Sequence, residues 1–189
     1  MSASLLKAIA VTAELTGTDI SESAARVMLQ DLSRFPETQV LEALTRCRRE
    51  IKGRLTIADV IQRLDDGRPG VEEAWAMLPK SEGASVVWTE EMSRAFGVAG
   101  PLMDTDEIAA RMAFKETYAK ALNEARNAGV PVKWSASLGH DPYGRESVLL
   151  EAAQKGRLPA PYVAKLLPHM SASPEFQRLL NGAKLLKAA

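Results

Sequence analysis

The chain has 189 residues, 24 basic and 24 acidic side chains, and a formal net charge of zero. This balance disfavours a dedicated non-specific DNA-coating protein and favours a protein partner, or DNA contact through one local patch. One cysteine cannot form the disulfide framework of a small secreted protein. The sequence has no signal-peptide layout and no apolar run of about 18 residues, so we expect a cytoplasmic protein that contacts no membrane.

Apolar residues recur at helical spacing along most of the chain, which predicts an all-α protein. We expect two small helical modules, residues 1–68 and 105–189, joined by an irregular segment, residues 69–104, that contains Pro, Gly and Ser. Residues 150–189 hold six basic and two acidic side chains, so the C-terminal part carries a local positive charge.

Four helices are predicted in the first module. Apolar stripes place two of them over residues 4–15 and 22–34, and a third begins at Pro36, whose missing N–H costs nothing in a first helical turn. Thr56 and Asp59 resemble a capping box at the start of a short fourth helix, with Asp in place of the usual Glu.

The connecting segment is predicted to be less regular. One or two helical turns over residues 71–78 precede a short extended piece at residues 85–88. Thr89 is expected to cap a helix that ends at Gly97, and Gly100-Pro101 is expected to form a turn.

The longest helix is predicted over residues 106–128, with Asp104 or Thr105 as its N-cap. A loop is predicted over residues 131–145. Shorter helices are predicted at residues 146–155, at residues 159–167 and from Ser173 onwards.

Five basic side chains surround the end of the third helix, and we take them as a candidate partner-binding patch: Arg46, Arg48, Arg49, Lys52 and Arg54. Cations near a helix C-terminus are favoured by about 0.3–1 kcal/mol each, so a purely structural role is one interpretation. The other is a patch for phosphates or for an acidic protein surface. The fourth helix would be a poor helix-turn-helix reader, because Asp59, Asp65 and Asp66 repel phosphates.

The last predicted helix offers a second candidate surface. Its apolar face either docks into a groove of a partner or packs on the long helix. The candidate partner-binding residues here are Phe176, Leu179, Leu180, Lys184 and Lys187.

Other candidate sites have simpler interpretations. Cys47 lies on the apolar stripe of the third helix, which favours core burial over a reactive thiol. His140 and Asp141 fit a turn better than a metal site or an acid–base pair. The tryptophans lie in or near irregular segments, where they either pin loops to the core or form interface hot spots: Trp75, Trp88 and Trp134.

No Walker-type phosphate loop, dinucleotide fingerprint or nucleophile elbow occurs in the sequence. We therefore expect a protein that is not an enzyme and that needs no metal and no cofactor. An enzyme with an unfamiliar site, for example near His140 and Asp141, is the alternative, and it would need a pocket with convergent polar groups and perturbed pKa values.

The first 65 residues carry a resemblance to a known family. They resemble the helicase loader/inhibitor family of phages, in which a short helical domain ends in a segment comparable to Leu55-Thr-Ile-Ala-Asp-Val-Ile61. The other stretches that carry the resemblance are Thr16-Gly-Thr-Asp-Ile-Ser-Glu22, Met28-Leu-Gln-Asp-Leu32 and Val40-Leu-Glu-Ala-Leu44.

The resemblance implies a non-enzymatic adaptor for the hexameric replicative helicase. Such proteins either deliver the helicase to an origin or restrain its ATPase until an initiator protein releases it. In that family the helical N-terminal domain tends to bind the initiator, and a flexible C-terminal part binds the helicase. This chain departs from the pattern, because its remainder is long and predicted to be mostly structured. The rival hypothesis is a helical DNA-binding regulator that uses the basic patch at residues 46–54.

Overall fold

The computed structural model describes residues 3–170 and, beyond them, Pro174, Phe176 and Arg178. The described chain is mostly helical with one small sheet, so the predicted all-α class is confirmed. The helices are α1 Ala3–Leu15, α2 Glu22–Leu32, α3 Glu37–Glu50, α4 Ile57–Gln62, α5 Val71–Ala76, α6 Glu90–Met103, α7 Glu107–Asn127, α8 Tyr143–Gln154 and α9 Ala160–Leu166, followed by a 3₁₀ turn at Pro168–Met170.

The chain divides into two compact units that are each discontinuous in sequence. The first unit combines Met1–Arg68 with Ala119–Val132, and the second combines Pro69–Tyr118 with Lys133–Ala189. Residues 119–132 therefore group with the N-terminal helices. Among the described residues, no helix is both long enough and apolar enough to cross a membrane.

The core of the first unit is formed by the apolar stripes of α1 to α4. Ile9, Leu32, Leu44 and Val60 are fully buried in one cluster. Cys47 lies in the same cluster with no exposed surface, so the predicted core position is confirmed.

Local signals define where these helices begin. The Ser21 Oγ accepts the Ala24 N–H at the start of α2. At α4 the Thr56 Oγ1 accepts the Asp59 N–H at 3.2 Å, and the Asp59 carboxylate accepts the Thr56 N–H at 2.9 Å. The predicted capping box is therefore confirmed, with Asp in the role of the usual Glu.

A buried ionic cluster completes the first unit. The Arg68 side chain is 1% exposed and lies 2.7 Å from the Asp66 carboxylate, which Arg126 also contacts at 3.2 Å. Arg126 donates to the Gln62 carbonyl oxygen and Arg68 to the Val130 carbonyl oxygen. Burial alone would raise the pKa of Asp66, but hydrogen bonds and charges from the two guanidinium groups outweigh burial and hold the pKa below its ordinary value.

The second unit contains a two-stranded antiparallel sheet, β1 Val86–Thr89 and β2 Trp134–Ser137. The register pairs Val86 with Ser137 and Thr89 with Trp134. Side chains from β1, α8 and α9 form a buried cluster in this unit, whose members are Val87, Leu149, Ala152, Leu158, Val163, Leu167 and Phe176.

Aromatic side chains of the second unit also pack together. The Trp75 and Phe114 ring centroids lie 5.6 Å apart, and the Phe114 and Tyr118 rings stack at 5.7 Å. The Tyr118 hydroxyl donates to the Pro69 carbonyl oxygen at 2.7 Å, which satisfies the polar end of a fully buried ring.

Two predictions about the middle of the chain are wrong. Helix α6 does not end at Gly97 and there is no turn at Gly100-Pro101, because the helix continues to Met103. The buried stripe of Met92, Ala95 and Ala99 carries the helix through Gly97, whose intrinsic cost is about 1 kcal/mol. Pro101 lies close enough to the helix end to disturb only its last turns.

Two further details differ from the prediction. The Asp106 carboxylate, rather than Asp104 or Thr105, accepts a first-turn N–H of α7, from Ala109 at 2.9 Å. The predicted loop over residues 131–145 contains β2 and the first residues of α8. Strand β2 is short, and its pairing with a strand far away in the sequence leaves little local signal.

Candidate partner-binding surface

The basic patch lies where α3 ends in the first unit. Val40, Leu44 and Cys47 face the core, so the basic residues at the end of this helix fall outside the buried stripe. Helix α3 ends at Glu50, and Ile51 adopts an extended conformation while its N–H donates to the Cys47 carbonyl oxygen. Helix α3 therefore ends between Arg49 and Lys52, inside the run of basic residues.

Two of the five predicted residues are occupied by contacts within the first unit. Arg46 lies 3.6 Å from the Asp65 carboxylate and donates to the Arg63 carbonyl oxygen at 3.3 Å. Arg48 donates to the Thr12 Oγ1 at 2.8 Å and to the Thr45 Oγ1 at 2.7 Å. Arg48 therefore ties α3 to α1, which is a structural role.

The other three predicted residues are Arg49, Lys52 and Arg54, which we call the cationic surface. All three are exposed, and within the part of the chain that the structure describes none has an ion pair or a side-chain hydrogen bond. Their Cα atoms span at most about 18 Å along the chain. The predicted patch thus falls into two groups. Arg46 and Arg48 make contacts within the first unit, whereas the charges of the cationic surface have no partner among the described residues.

Gly53 shapes the backbone between Lys52 and Arg54. Its φ angle is +154°, a conformation that residues with a Cβ atom rarely adopt. A Cβ atom at this position would meet no neighbouring atom within 4 Å, so the requirement for glycine comes from the backbone alone.

The acidic residues near this surface are already bound to other groups. The Glu50 carboxylate accepts from Arg63 Nε at 2.8 Å. Asp59 is held in the capping box and lies 3.6 Å from Arg63. Asp65 pairs with Arg46, and Asp66 is enclosed by two arginines. The carboxylates that were expected to repel phosphates are therefore largely compensated.

The second predicted surface is placed only in part. Phe176 has no exposed surface and lies in the buried cluster with Leu149 and Val163, so its ring is packed within the second unit. The other candidates of this helix lie outside the described residues: Leu179, Leu180, Lys184 and Lys187.

The remaining candidates occupy structural positions. The Asp141 carboxylate accepts the Tyr143 N–H at 2.9 Å, as expected for a turn. Among the described residues, no group of three or more His, Cys, Asp or Glu is arranged to hold a metal ion.

The three tryptophans all contact other side chains of the second unit. Trp75 packs on Phe114, as described above, and the Trp88 and Phe96 ring centroids lie 5.4 Å apart. The Arg157 guanidinium lies 4.5 Å from the Trp134 ring centroid. All three tryptophans lie within regular elements, in α5, β1 and β2, and not in loops.

No protein-family model, no curated protein and no solved structure matches this chain.

Proposed function

We propose that this chain is a non-enzymatic accessory protein of phage- or prophage-type DNA replication that binds the replicative helicase as a loader or an inhibitor. The observation that carries the proposal is the cationic surface on a helical N-terminal unit. Arg49, Lys52 and Arg54 have no carboxylate partner among the described residues, so an acidic partner surface would supply one.

We take this partner to be the replicative helicase because the first 65 residues resemble phage helicase loaders and inhibitors. The Thr56–Asp59 capping box lies within Leu55–Ile61, one of the stretches that carry the resemblance. Without a nucleotide-binding motif in its sequence, the chain would deliver or restrain the helicase through binding alone, and an initiator protein would displace it.

Charged groups at the edge of an interface mainly accelerate association and make it depend on salt. The cationic surface is exposed, so each of its ion pairs with the helicase would add little affinity at moderate salt, in the range of about 0–1 kcal/mol. The expected signature is binding that weakens as salt rises and when these three residues are neutralised.

The test is capture of the purified host helicase by the full chain at low and moderate salt. The variant carries Arg49→Ala, Lys52→Ala and Arg54→Ala together. Its matched control carries Lys7→Ala, Arg34→Ala and Lys120→Ala, which remove three exposed positive charges elsewhere in the first unit that also have no ion pair among the described residues.

We expect the wild type and the control to capture the helicase, and the cationic-surface variant to capture clearly less of it at low salt. Absence of capture by the wild type at low salt would contradict the proposed function. Equal capture by all three proteins would leave helicase binding in place and contradict the assignment of the surface.

A second candidate function, DNA binding by the same surface, is favoured by one observation. Asp59, Asp65 and Asp66 are paired with cations or caps, so they repel phosphates less than the sequence suggests. If the cationic surface neutralises three phosphates, the affinity for duplex DNA should fall with salt at a logarithmic slope of about −2.7. Clean duplex binding with this slope, together with no helicase capture, would favour a DNA-binding regulator.

A further inference from the structure

Two neighbouring apolar side chains of α1 are exposed at the surface of the first unit. Val11 is 39% exposed and Leu15 is 68% exposed. They lie one turn apart along the helix, which makes them neighbours on one side of it. Single exposed apolar residues are ordinary on protein surfaces, so the surroundings of this pair decide whether it binds a partner.

The apolar pair borders α3. Ser4 lies on the same stripe of α1, because it precedes Val11 by about two helical turns. The Ser4 hydroxyl donates to the Glu37 carboxylate at 2.9 Å, at the start of α3. The hydrogen bond from Arg48 to Thr12 joins the two helices again near their ends. Helices α1 and α3 therefore run parallel, side by side, and the apolar pair flanks the line where they meet.

The side of α3 that borders this line ends in a cation. Leu41, Thr45 and Arg49 follow one another one turn apart, so they form a stripe along α3. Arg48 donates to Thr45 as well as to Thr12, so this stripe lies on the side of α3 towards α1. Leu41 and Thr45 are half-buried, and Arg49 is exposed. We call the surface formed by the two stripes the α1–α3 face.

The rest of the cationic surface lies at the same end of the unit. The Leu55 N–H donates to the Thr18 Oγ1 at 2.7 Å, so the chain after α3 returns to the residues that follow α1. Lys52 and Arg54 lie in the stretch between α3 and Leu55. The cationic surface is therefore close to the end of α1 that carries Leu15.

Carboxylates border the face on its other sides. Glu14 directly precedes Leu15, so its side chain lies about 100° round the helix, on the side away from α3. Glu42 lies about two turns, or about 10 Å, before Arg49 along α3. The α1–α3 face thus has an apolar centre, a cationic edge at the end of α3 and carboxylates at its remaining margins.

We propose that the α1–α3 face binds an amphipathic helix of a partner protein, with apolar side chains over Val11 and Leu15 and carboxylates over the cationic surface. The groove between two parallel helices accepts the side-chain ridge of a third helix. Charge complementarity selects an acidic edge on that helix, because the cationic surface has no ion pair among the described residues. This inference deepens the proposed function, on which it rests for the identity of the protein that supplies the helix.

A membrane is another surface that meets apolar and basic side chains together. An anionic bilayer would cover Glu14 and Glu42 as well as the cations, and like charges repel. A single helix is only about 10 Å wide, so both carboxylates stay at its margin. The distribution of charge therefore favours a protein segment over a lipid surface.

A designed peptide tests this face without the helicase. The probe is an alanine-based helical peptide with leucines along one face and glutamates along one edge of that face. The control peptide has lysines in place of the glutamates. Each peptide is titrated at low salt into the full chain labelled for NMR. We expect the acidic peptide to shift amide resonances of residues 8–15 and 41–54, and the basic peptide to bind roughly tenfold more weakly or not at all.

Two exposed positions supply matched variants. Leu15→Gln removes the more exposed apolar side chain of the face, and we expect it to weaken peptide binding about tenfold. Val27→Gln changes a valine that is 57% exposed on α2, outside the face, and should leave peptide binding unchanged. Circular dichroism checks that both variants are folded.

Three results of the peptide titrations would overturn the proposal: no binding of the acidic peptide, equal binding of both peptides, or equal binding by the two variants. Binding to vesicles of phosphatidylcholine and phosphatidylglycerol without binding of the acidic peptide would also overturn it, and would assign the face to lipid.

Helicase capture by Leu15→Gln separates this proposal from the proposed function. Capture equal to that of the wild type would overturn the docking of a helicase segment on the α1–α3 face and leave helicase binding in place. Absence of capture by the wild type, together with the expected peptide binding, would contradict the proposed function and support the docking chemistry of the face.

Discussion

The Arg48 guanidinium donates a hydrogen bond to the Thr12 hydroxyl 2.8 Å away, joining α3 to α1. Its neighbour Arg49 has no such contact among the described residues and is exposed. Two adjacent arginines of one basic run therefore have different roles. One contributes to the stability of the first unit, and the other is available to a partner.

This difference can be measured with two single variants. Arg48→Ala removes two hydrogen bonds to threonine hydroxyls, and we expect it to lower the free energy of unfolding by about 1–2 kcal/mol. Arg49→Ala should change that free energy by less than about 0.5 kcal/mol. Urea unfolding of the two variants measures both free energies, and equal destabilisation would contradict the different roles of Arg48 and Arg49.

Cys47 predicts a pH dependence of stability. Burial raises the pKa of its thiol from 9.0 to about 11, and nearby charges add smaller effects of both signs, downward from Arg63 and Arg48 and upward from Asp59 and Glu50. The folded protein therefore keeps the thiol neutral at pH values where the unfolded chain ionises it. The stabilisation due to this group is complete below pH 9.0 and is lost as the pH rises towards about 11.

The measurement is the free energy of unfolding of the wild type and of Cys47→Ala across that pH range. The difference between the two proteins should shrink as the pH rises. A thiol reagent should also react with native Cys47 only when the first unit opens, so rapid labelling of the native protein would contradict the buried position.

Asp66 and Asp65 are adjacent in the sequence, but Asp66 is mostly buried and Asp65 is exposed. Asp66→Ala leaves the charges of Arg68 and Arg126 buried without a carboxylate, and we expect a loss of about 3–5 kcal/mol. Asp65 is exposed and lies 3.6 Å from Arg46, so Asp65→Ala should cost less than about 1 kcal/mol. Thermal unfolding of both variants tests this, and similar melting temperatures would show that the buried cluster contributes little.

Two glycines of the second unit should respond to alanine in opposite ways. A Cβ atom at Gly139 would lie 2.0 Å from the Gly83 carbonyl oxygen, so Gly139→Ala should destabilise the unit strongly. Gly144 lies in the first turn of α8 with no atom within 4 Å of the position that a Cβ atom would take, so Gly144→Ala should stabilise the unit by about 0.4–1 kcal/mol. The signs of the two changes in unfolding free energy are the readout, and a tolerated Gly139→Ala would contradict the close approach.

Structural features that depend only on residues a few positions apart could be predicted from the sequence. The Thr56–Asp59 capping box and the buried stripe that includes Cys47 follow from residues a few positions apart. Helix α6 was predicted too short because burial of Ala99 outweighs the local signals of Gly97 and Gly100-Pro101. Strand β2 was missed because its pairing partner lies far away in the sequence.

The candidate surface was predictable as a cluster but not in its details. The sequence groups five cations, and it cannot show that Arg48 is held by Thr12, which lies 36 residues away. It also cannot show that Asp65 pairs with Arg46 or that Asp66 pairs with Arg126, because these two arginines lie far away in the sequence. Only the folded chain identifies Arg49, Lys52 and Arg54 as the uncompensated residues.

Helicase binding is tested best by the affinity of the full chain for the replicative helicase, measured by isothermal titration at several salt concentrations. We expect saturable binding that weakens with salt. We also expect weaker binding with a shallower salt dependence for the variant Arg49→Ala/Lys52→Ala/Arg54→Ala, and unchanged binding for the control Lys7→Ala/Arg34→Ala/Lys120→Ala. No binding by the wild type at the lowest salt concentration would contradict a role as a helicase-binding protein.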